Sequence, residues 1–308
     1  MEELKKNSLK KLLNCCFSFI FLFYINSKIN KKKKLKVCLC TIGKNENKYI
    51  KEFVDYYKNL GFNHIYLYDN NDINGERFEE ILYEDTMKKF VTIINYRGYR
   101  GKEQNPQIEA YKNCYEKYNL YYDWLSFFDI DEYLYLNPLN LKIQDFLNIK
   151  RFNICQIIKF NWLNYININS LYYEDKPLQQ RMTKPLINFT INKHIKSTVR
   201  GNLPNNYWLK AQNPHTSINN YTTCSSSGRI INSSLPFNIP IEHKYAYLKH
   251  YQIKSFEEFC LKIKRGRPVP QYKSYKEKMI DKLIKDNKHN NEKINIIKKV
   301  FNITIIKA

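Results

Sequence analysis

Glycine and arginine are scarce in this chain: 8 Gly and 9 Arg stand among 308 residues, and 29 acids face 51 bases. The formal net charge is +22, and 42 of the basic residues are lysine. Scarce Gly and Arg beside abundant Lys, Asn, Ile and Tyr read as AT-rich coding bias, which inflates Lys and Asn wherever a fold tolerates them. The charge is therefore no argument for nucleic acid, and no zinc-finger, RNP-type or helix-turn-helix signature accompanies it. Anionic lipid or a phosphorylated substrate would suit it equally well. The eight cysteines are scattered and offer no CxxC spacing followed by a His pair, which argues against structural zinc; no disulfide framework is evident. Cys38 and Cys40 share one face of a predicted strand and read as core residues. Sequons at Asn188, Asn220, Asn232 and Asn302 are about what chance provides in so Asn-rich a chain, and do not establish a secretory route. Internal repeats are absent.

Long hydrophobic runs are lacking too. The apolar run Leu12 to Ile25 has 14 residues, short of the roughly 20 that span a bilayer. Flanking lysines can snorkel, however, and no small-residue cleavage site follows. Residues 1–34 are therefore expected to form a single-pass membrane anchor and basic linker. Lys28, Lys31 to Lys34 and Lys36 after the run outnumber Lys5, Lys6, Lys10 and Lys11 before it. The positive-inside rule then expects the following domain to face the cytoplasm, with a type II Golgi-lumen orientation as the alternative.

What is present is a globular composition, 43% hydrophobic and 15% aromatic. From Leu35 the pattern alternates. Strands are predicted at 36–41, 64–68, 91–95, from Trp124, and near 154–160. Helices are predicted at 45–60, stopped by Gly61, and at 76–89, 106–118 and 256–264. Such alternation implies an α/β fold, a mostly parallel sheet with helices on both faces. Residues 35–270 form the main domain, and the lysine-rich segment 271–308 is expected as a solvated, basic tail.

The run Trp124 to Leu136 carries the most chemistry. An apolar strand is followed by Asp129, Asp131 and Glu132. In an extended segment Asp129 and Asp131 would point the same way, about 7 Å apart. Carboxylates so placed at a strand's carboxyl end suit Mg²⁺ or Mn²⁺, which leave coordination positions open for substrate phosphates. The bland reading is an acidic turn.

Four patterns follow in order: Lys44-Asn-Glu46, Tyr68-Asp-Asn70, Asp129-Ile-Asp-Glu132 and His250-Tyr-Gln-Ile-Lys-Ser255. With Gln107 to Cys114, Lys196-Ser-Thr-Val-Arg200, Asn213-Pro-His215 and Lys262-x-x-Arg265-Gly266, this order resembles glycosyltransferase family 92 and its family 2-like relatives. The resemblance covers about residues 36–270. It implies a GT-A glycosyltransferase fold with a Rossmann-like sheet, and an inverting, metal-dependent transfer from a nucleotide-sugar, a UDP-sugar such as UDP-galactose, to a glycan or glycoconjugate acceptor. Mn²⁺ or Mg²⁺ would bind Asp129, Asp131 and His250, with His215 competing for the histidine role. Lys44, Asn45, Glu46, Asp69, Gln107, Asp129, Lys196, Arg200, Lys254 and Ser255 would meet the donor, and Glu132 is the expected base. Structural alternatives stand beside these roles: an Asx-turn for Asp69, an early-helix acid for Glu46, simple solvation for Lys196 and Arg200, and a helix cap for Lys254 and Ser255. Gly201 departs from the proline relatives carry there, and is expected to loosen that turn. The competing reading is a decayed transferase fold serving as a basic scaffold that binds membrane or nucleic acid.

Overall fold

The computed structural model describes residues 34–99, 105–203, 213–218, 220–232, 234–266 and 272–303. Strand β1 (Val37–Gly43) leads into helix α1 (Asn47–Leu60), then β2 (His64–Asp69). Short helices α2 (Phe78–Ile81) and α3 (Tyr83–Met87) precede β3 (Val91–Asn95), and α4 (Pro106–Tyr118) precedes β4 (Trp124–Phe127). After β5 (Glu132–Leu136) come α5 (Ile143–Leu147), β6 (Ile157–Ile166), α6 (Leu178–Arg181), β7 (Ile195–Arg200) and β8 (Thr223–Ser225). Strand β9 (Ala246–Ile253) then runs into α7 (Phe256–Arg265), followed by α8 (Tyr272–Asp286) and α9 (Asn291–Phe301).

One sheet results, in the order β3-β2-β1-β4-β7-β6-β9-β5, with β8 beside β6. Its β3-β2-β1-β4 half is parallel throughout, as are β6-β8 and β6-β9, whereas β7 and β5 run antiparallel to their neighbours. This is the expected α/β sheet, mostly parallel, with helices on both faces. The alternation in β1 shows why: Val37 and Leu39 point into the core under α1, and Cys38 and Cys40 into the core under α4. On α1, Ile50, Phe53, Val54 and Tyr57 recur at helical spacing on the buried face. Gly61 ends that helix at φ 99°, where a side chain would be strained. The edge strand β5 is partly covered by α1, since Tyr57 Oη donates to Glu132 O and accepts from Leu134 N.

Four expectations need correction. The helix expected over 76–89 breaks at Leu82 into α2 and α3. The tail after Tyr272 is not merely solvated: Leu283, Ile296, Ile297 and Val300 pack with Phe256, Cys260 and Ile263 of α7. Cys155 and Cys224 form a disulfide that ties the start of β6 to β8. Finally, among the described residues no helix is long and apolar enough to cross a membrane. That overturns the expected single-pass anchor and the cytoplasmic orientation built on it; the run Leu12 to Ile25 lies outside the described residues.

Gly201 also has a role opposite to the one expected. A Cβ there would sit 2.0 Å from Tyr122 O and 2.4 Å from Asn119 O, both backbone atoms that cannot swing aside. The turn is tight rather than loose. Gly201→Ala is expected to cost about 2–3 kcal/mol in urea unfolding; a midpoint equal to wild type would contradict this packing.

Candidate active site

The carboxyl ends of β1 and β4 meet where strand geometry stops. Strand β4 ends at Phe127, so Asp129 to Glu132 form a turn, closed by Glu132 N donating to Asp129 O (3.0 Å). The expected extended geometry is therefore replaced, and the two aspartates acquire different partners. The turn sits directly on β1: a Cβ on Gly43 would meet Ile130 Cδ1 at 2.3 Å and Phe78 Cζ at 2.9 Å. Any larger residue there would have to displace the Ile130 and Phe78 side chains.

Asp129 Oδ1 accepts from Lys196 Nζ (2.6 Å), Gln107 Nε2 (2.5 Å) and Tyr111 Oη (2.9 Å). Burial alone would raise its pKa, but Lys196 outweighs that and holds the carboxyl below its usual range. Asp131 Oδ2 accepts instead from Lys262 Nζ (3.1 Å), and Oδ1 lies 3.8 Å from His250 Nε2. Burial again opposes ionisation, yet Lys262, His250 and Lys254 together keep Asp131 well below the carboxylate range. Two ionised carboxylates thus stand side by side, each held by its own lysine.

His250 arrives through register, opposite Glu132 across the β5–β9 ladder. Its ring packs 4.2 Å from the Trp162 indole, and burial lowers its pKa to about 4, leaving a neutral imidazole whose buried Nδ1 has no hydrogen-bond partner among the described residues. His215 anchors Nδ1 on Ile195 O (2.8 Å), and burial lowers it to about 3. Its ring stands 5.3 Å from Trp162. The structure therefore puts His250, rather than His215, next to Asp131.

A divalent ion fits this donor set in part. A carboxylate oxygen and a neutral imidazole nitrogen are groups that Mn²⁺ accepts, and Asp131 Oδ1 with His250 Nε2 presents that pair. Among the described residues no cluster of three His, Cys, Asp or Glu is disposed to hold a metal. The remaining ligands would have to come from the substrate and water, as is usual for a metal bound through phosphates.

The β1–α1 loop supplies the lip. Asn45 takes a left-handed conformation (φ 58°), and its N–H donates to Asn71 Oδ1 (2.7 Å). Arg265 donates to both Lys44 O and Glu46 Oε1 (2.8 Å each), and Lys254 lies 3.7 Å from Glu46 Oε2 with its ammonium over the Tyr49 ring. Lys44 itself pairs with Asp72 (2.8 Å). Ser255 is the N-cap of α7: its Oγ accepts from Glu258 N and donates to Glu258 Oε2. Of these residues Lys254 adds to the positive field on Asp131, while Lys44 is taken up by Asp72, Asn45 by Asn71 and Ser255 by its cap.

Three expected site residues are used elsewhere. Asp69 is buried, with Oδ1 accepting from Asn71 in an Asx-turn and Oδ2 from Arg97 Nη1 (2.7 Å). Arg97 spends its other donors on the carbonyls of Asp72, Ile73, Gly75 and Glu76, so the pair holds the loop after β2. Arg200 pairs with Trp124 at the opposite end of β4, stacks on that indole at 4.4 Å and caps the carbonyls of Phe152, Asn153 and Cys155. Glu132 is buried against Asp129 N (2.9 Å), and burial pushes its carboxyl well up. Its side chain is fully buried in this arrangement, 3.8 Å from Lys196 Nζ. Sequence reading missed Tyr111, Trp162 and Lys262 as site residues. Lys262 stood in the quoted Lys-x-x-Arg-Gly motif without a role, while nothing in its local pattern distinguishes Trp162 from any core aromatic.

The model of glycosyltransferase family 92 matches residues 33–305. A glycosyltransferase family 92 protein of Oryza sativa subsp. japonica is 29% identical over 117 residues, covering 38% of this chain and 19% of that protein. One of Ricinus communis is 25% identical over 119 residues, covering 37% and 19%. The matched segment thus spans about one fifth of these relatives' length. Among solved structures, S. aureus TarS aligns with a TM-score of 0.32 at 14% identity, over 54% of this chain and 28% of that one. TarS 1–349 in complex with UDP-GlcNAc aligns with a TM-score of 0.33 at 13% identity, over 54% and 45%. With its family match running over most of its length, the chain belongs to glycosyltransferase family 92.

Proposed function

We propose that the protein transfers a sugar from a nucleotide-sugar, a UDP-sugar, to a glycan acceptor with inversion, using Mn²⁺ or Mg²⁺. The observation that carries this reading is the turn of Asp129 and Asp131 at the carboxyl end of β4, with Lys262 and His250 converging on Asp131. In the transfer, the bond from the anomeric carbon to the phosphate oxygen breaks and its electron pair stays on the nucleoside diphosphate. The acceptor oxygen bonds to that carbon from the opposite face, and its proton passes to water. A bound divalent ion would supply positive charge against the departing diphosphate. The chain's own part is electrostatic and positional. Lys196, Gln107 and Tyr111 fix Asp129, and His250, packed against Trp162, is fixed beside Asp131, so little reorganisation is needed when charge develops.

The test is a donor panel of UDP-galactose, UDP-glucose, UDP-GlcNAc and GDP-mannose, with Mn²⁺ or with chelator, read as nucleoside diphosphate release. Release from a UDP-sugar that stops in chelator is expected. No release from any donor in either condition would overturn the reading, and undiminished release in chelator would remove its metal. Anomeric proton spectra of the product report inversion or retention.

A further inference from the structure

Four cations surround the acidic turn, and they differ in how firmly they are held. Lys196 is 1% exposed and lies between Asp129 and Glu132. Lys254 is 9% exposed, between Glu46 and the Tyr49 ring. Arg265 divides its donors between Lys44 O and Glu46. Lys262 is different: its side chain is 35% exposed, and among the described residues it holds Asp131 Oδ2 and Gln252 O, at 3.1 and 3.2 Å. It rises from the last turn of α7, on a flexible four-carbon stem. Exchanging a partly exposed ion pair costs little, whereas moving Lys196 would strand buried charge.

We propose that Lys262 is a catalytic residue that leaves Asp131 for the donor's diphosphate, an inference that rests on the nucleotide-sugar reading above. The driving force is electrostatic. A diphosphate brought to two ionised aspartates is repelled until cations intervene. Any cation that settles on Asp131 Oδ1 weakens the hold of Asp131 on Lys262 and repels its ammonium. The nearest new anion is then the diphosphate, which reaches its greatest charge as the sugar departs. Lys262 moves no proton; it neutralises the electron pair left on the phosphate oxygen. Gln252 O, at the end of β9, keeps the ammonium within reach of the turn in the resting arrangement.

The experiment is calorimetric titration of the full chain with UDP and with uridine in Mn²⁺, using wild type, Lys262→Met and Lys262→Arg, with GDP and CDP run on wild type. Lys262→Met is expected to weaken UDP about 10- to 100-fold, the scale of one charge-assisted hydrogen bond. Uridine affinity should be unchanged, and Lys262→Arg should recover most of the UDP affinity. Equal UDP affinity in Lys262→Met and wild type would overturn the proposal while leaving the donor reading intact. Parallel loss of UDP and uridine would also overturn it, because the lysine would then only prop the site. A wild type that binds none of the three nucleoside diphosphates would overturn the donor reading itself.

Discussion

Asp131→Asn is expected to lower nucleotide-sugar turnover by about 10³-fold, a loss on the scale of removing an electrostatic group from a preorganised site. Asparagine keeps the shape and removes the charge. What disappears is the anion that gathers Lys262, Lys254 and His250 and that would present Oδ1 to a divalent ion. The fold should survive, at a cost of about 1–2 kcal/mol, because Lys262 can turn to solvent once its partner is gone. The pH dependence has a definite sign. The folded carboxyl titrates below its unfolded counterpart, so its contribution is present above about pH 4 and is lost as pH falls towards the folded value. Urea unfolding of wild type should therefore weaken more steeply on acidification below about pH 4 than that of Asp131→Asn. Turnover within tenfold of wild type would remove Asp131 from the site.

The sheet was readable because its determinants are local. Alternating burial in β1, the helical stripe Ile50-Phe53-Val54-Tyr57 and the Gly61 stop each depend on a few neighbouring residues, and β3 and α4 appear at their predicted bounds. The break at Leu82 was not readable. Phe78 and Leu82, four apart, are buried on one face as a continuous helix would have them, and nothing in the local pattern marks the interruption between them. The disulfide depends on β6 and β8 becoming neighbours across 69 residues, and no spacing rule reaches that far.

The site divides the same way. The position of the acidic turn, at the end of a strand in the middle of the sheet, was legible. The allocation of partners was not, because each is long-range. Lys196 reaches Asp129 from β7, and Lys262 reaches Asp131 from α7, 131 residues on. Asp69 and Arg200 show the converse. Both belong to segments that carry the family resemblance, yet their side chains are consumed by Arg97, by loop carbonyls or by an indole. A motif fixes which residues recur together; only the fold says which of them face the open end of the sheet.

Lys196→Met should be the most destabilising single change at the turn, about 3–5 kcal/mol, because it leaves the ionised Asp129 without its buried cation, beside Glu132, which burial already pushes towards the neutral form. Lys196 is buried, with Asp129 at 2.6 Å and Glu132 at 3.8 Å. Burial works against its charge, but the two carboxylates outweigh it and raise its pKa. Its contribution is thus fully present below about pH 10.5 and is lost only as pH rises through the folded value, so the whole effect should appear at pH 7. Methionine fills similar volume, which separates the electrostatic loss from a cavity. The double variant Lys196→Met, Asp129→Asn supplies the decisive comparison. Removing the Asp129 charge from a site already lacking its cation should restore about 1–3 kcal/mol, whereas Asp129→Asn alone, which leaves Lys196 with only Glu132, should destabilise. If the two substitutions simply add in urea unfolding, Lys196 and Asp129 do not act as a pair. If Lys196→Met unfolds within about 1 kcal/mol of wild type, the buried cation is not what holds the acidic turn together.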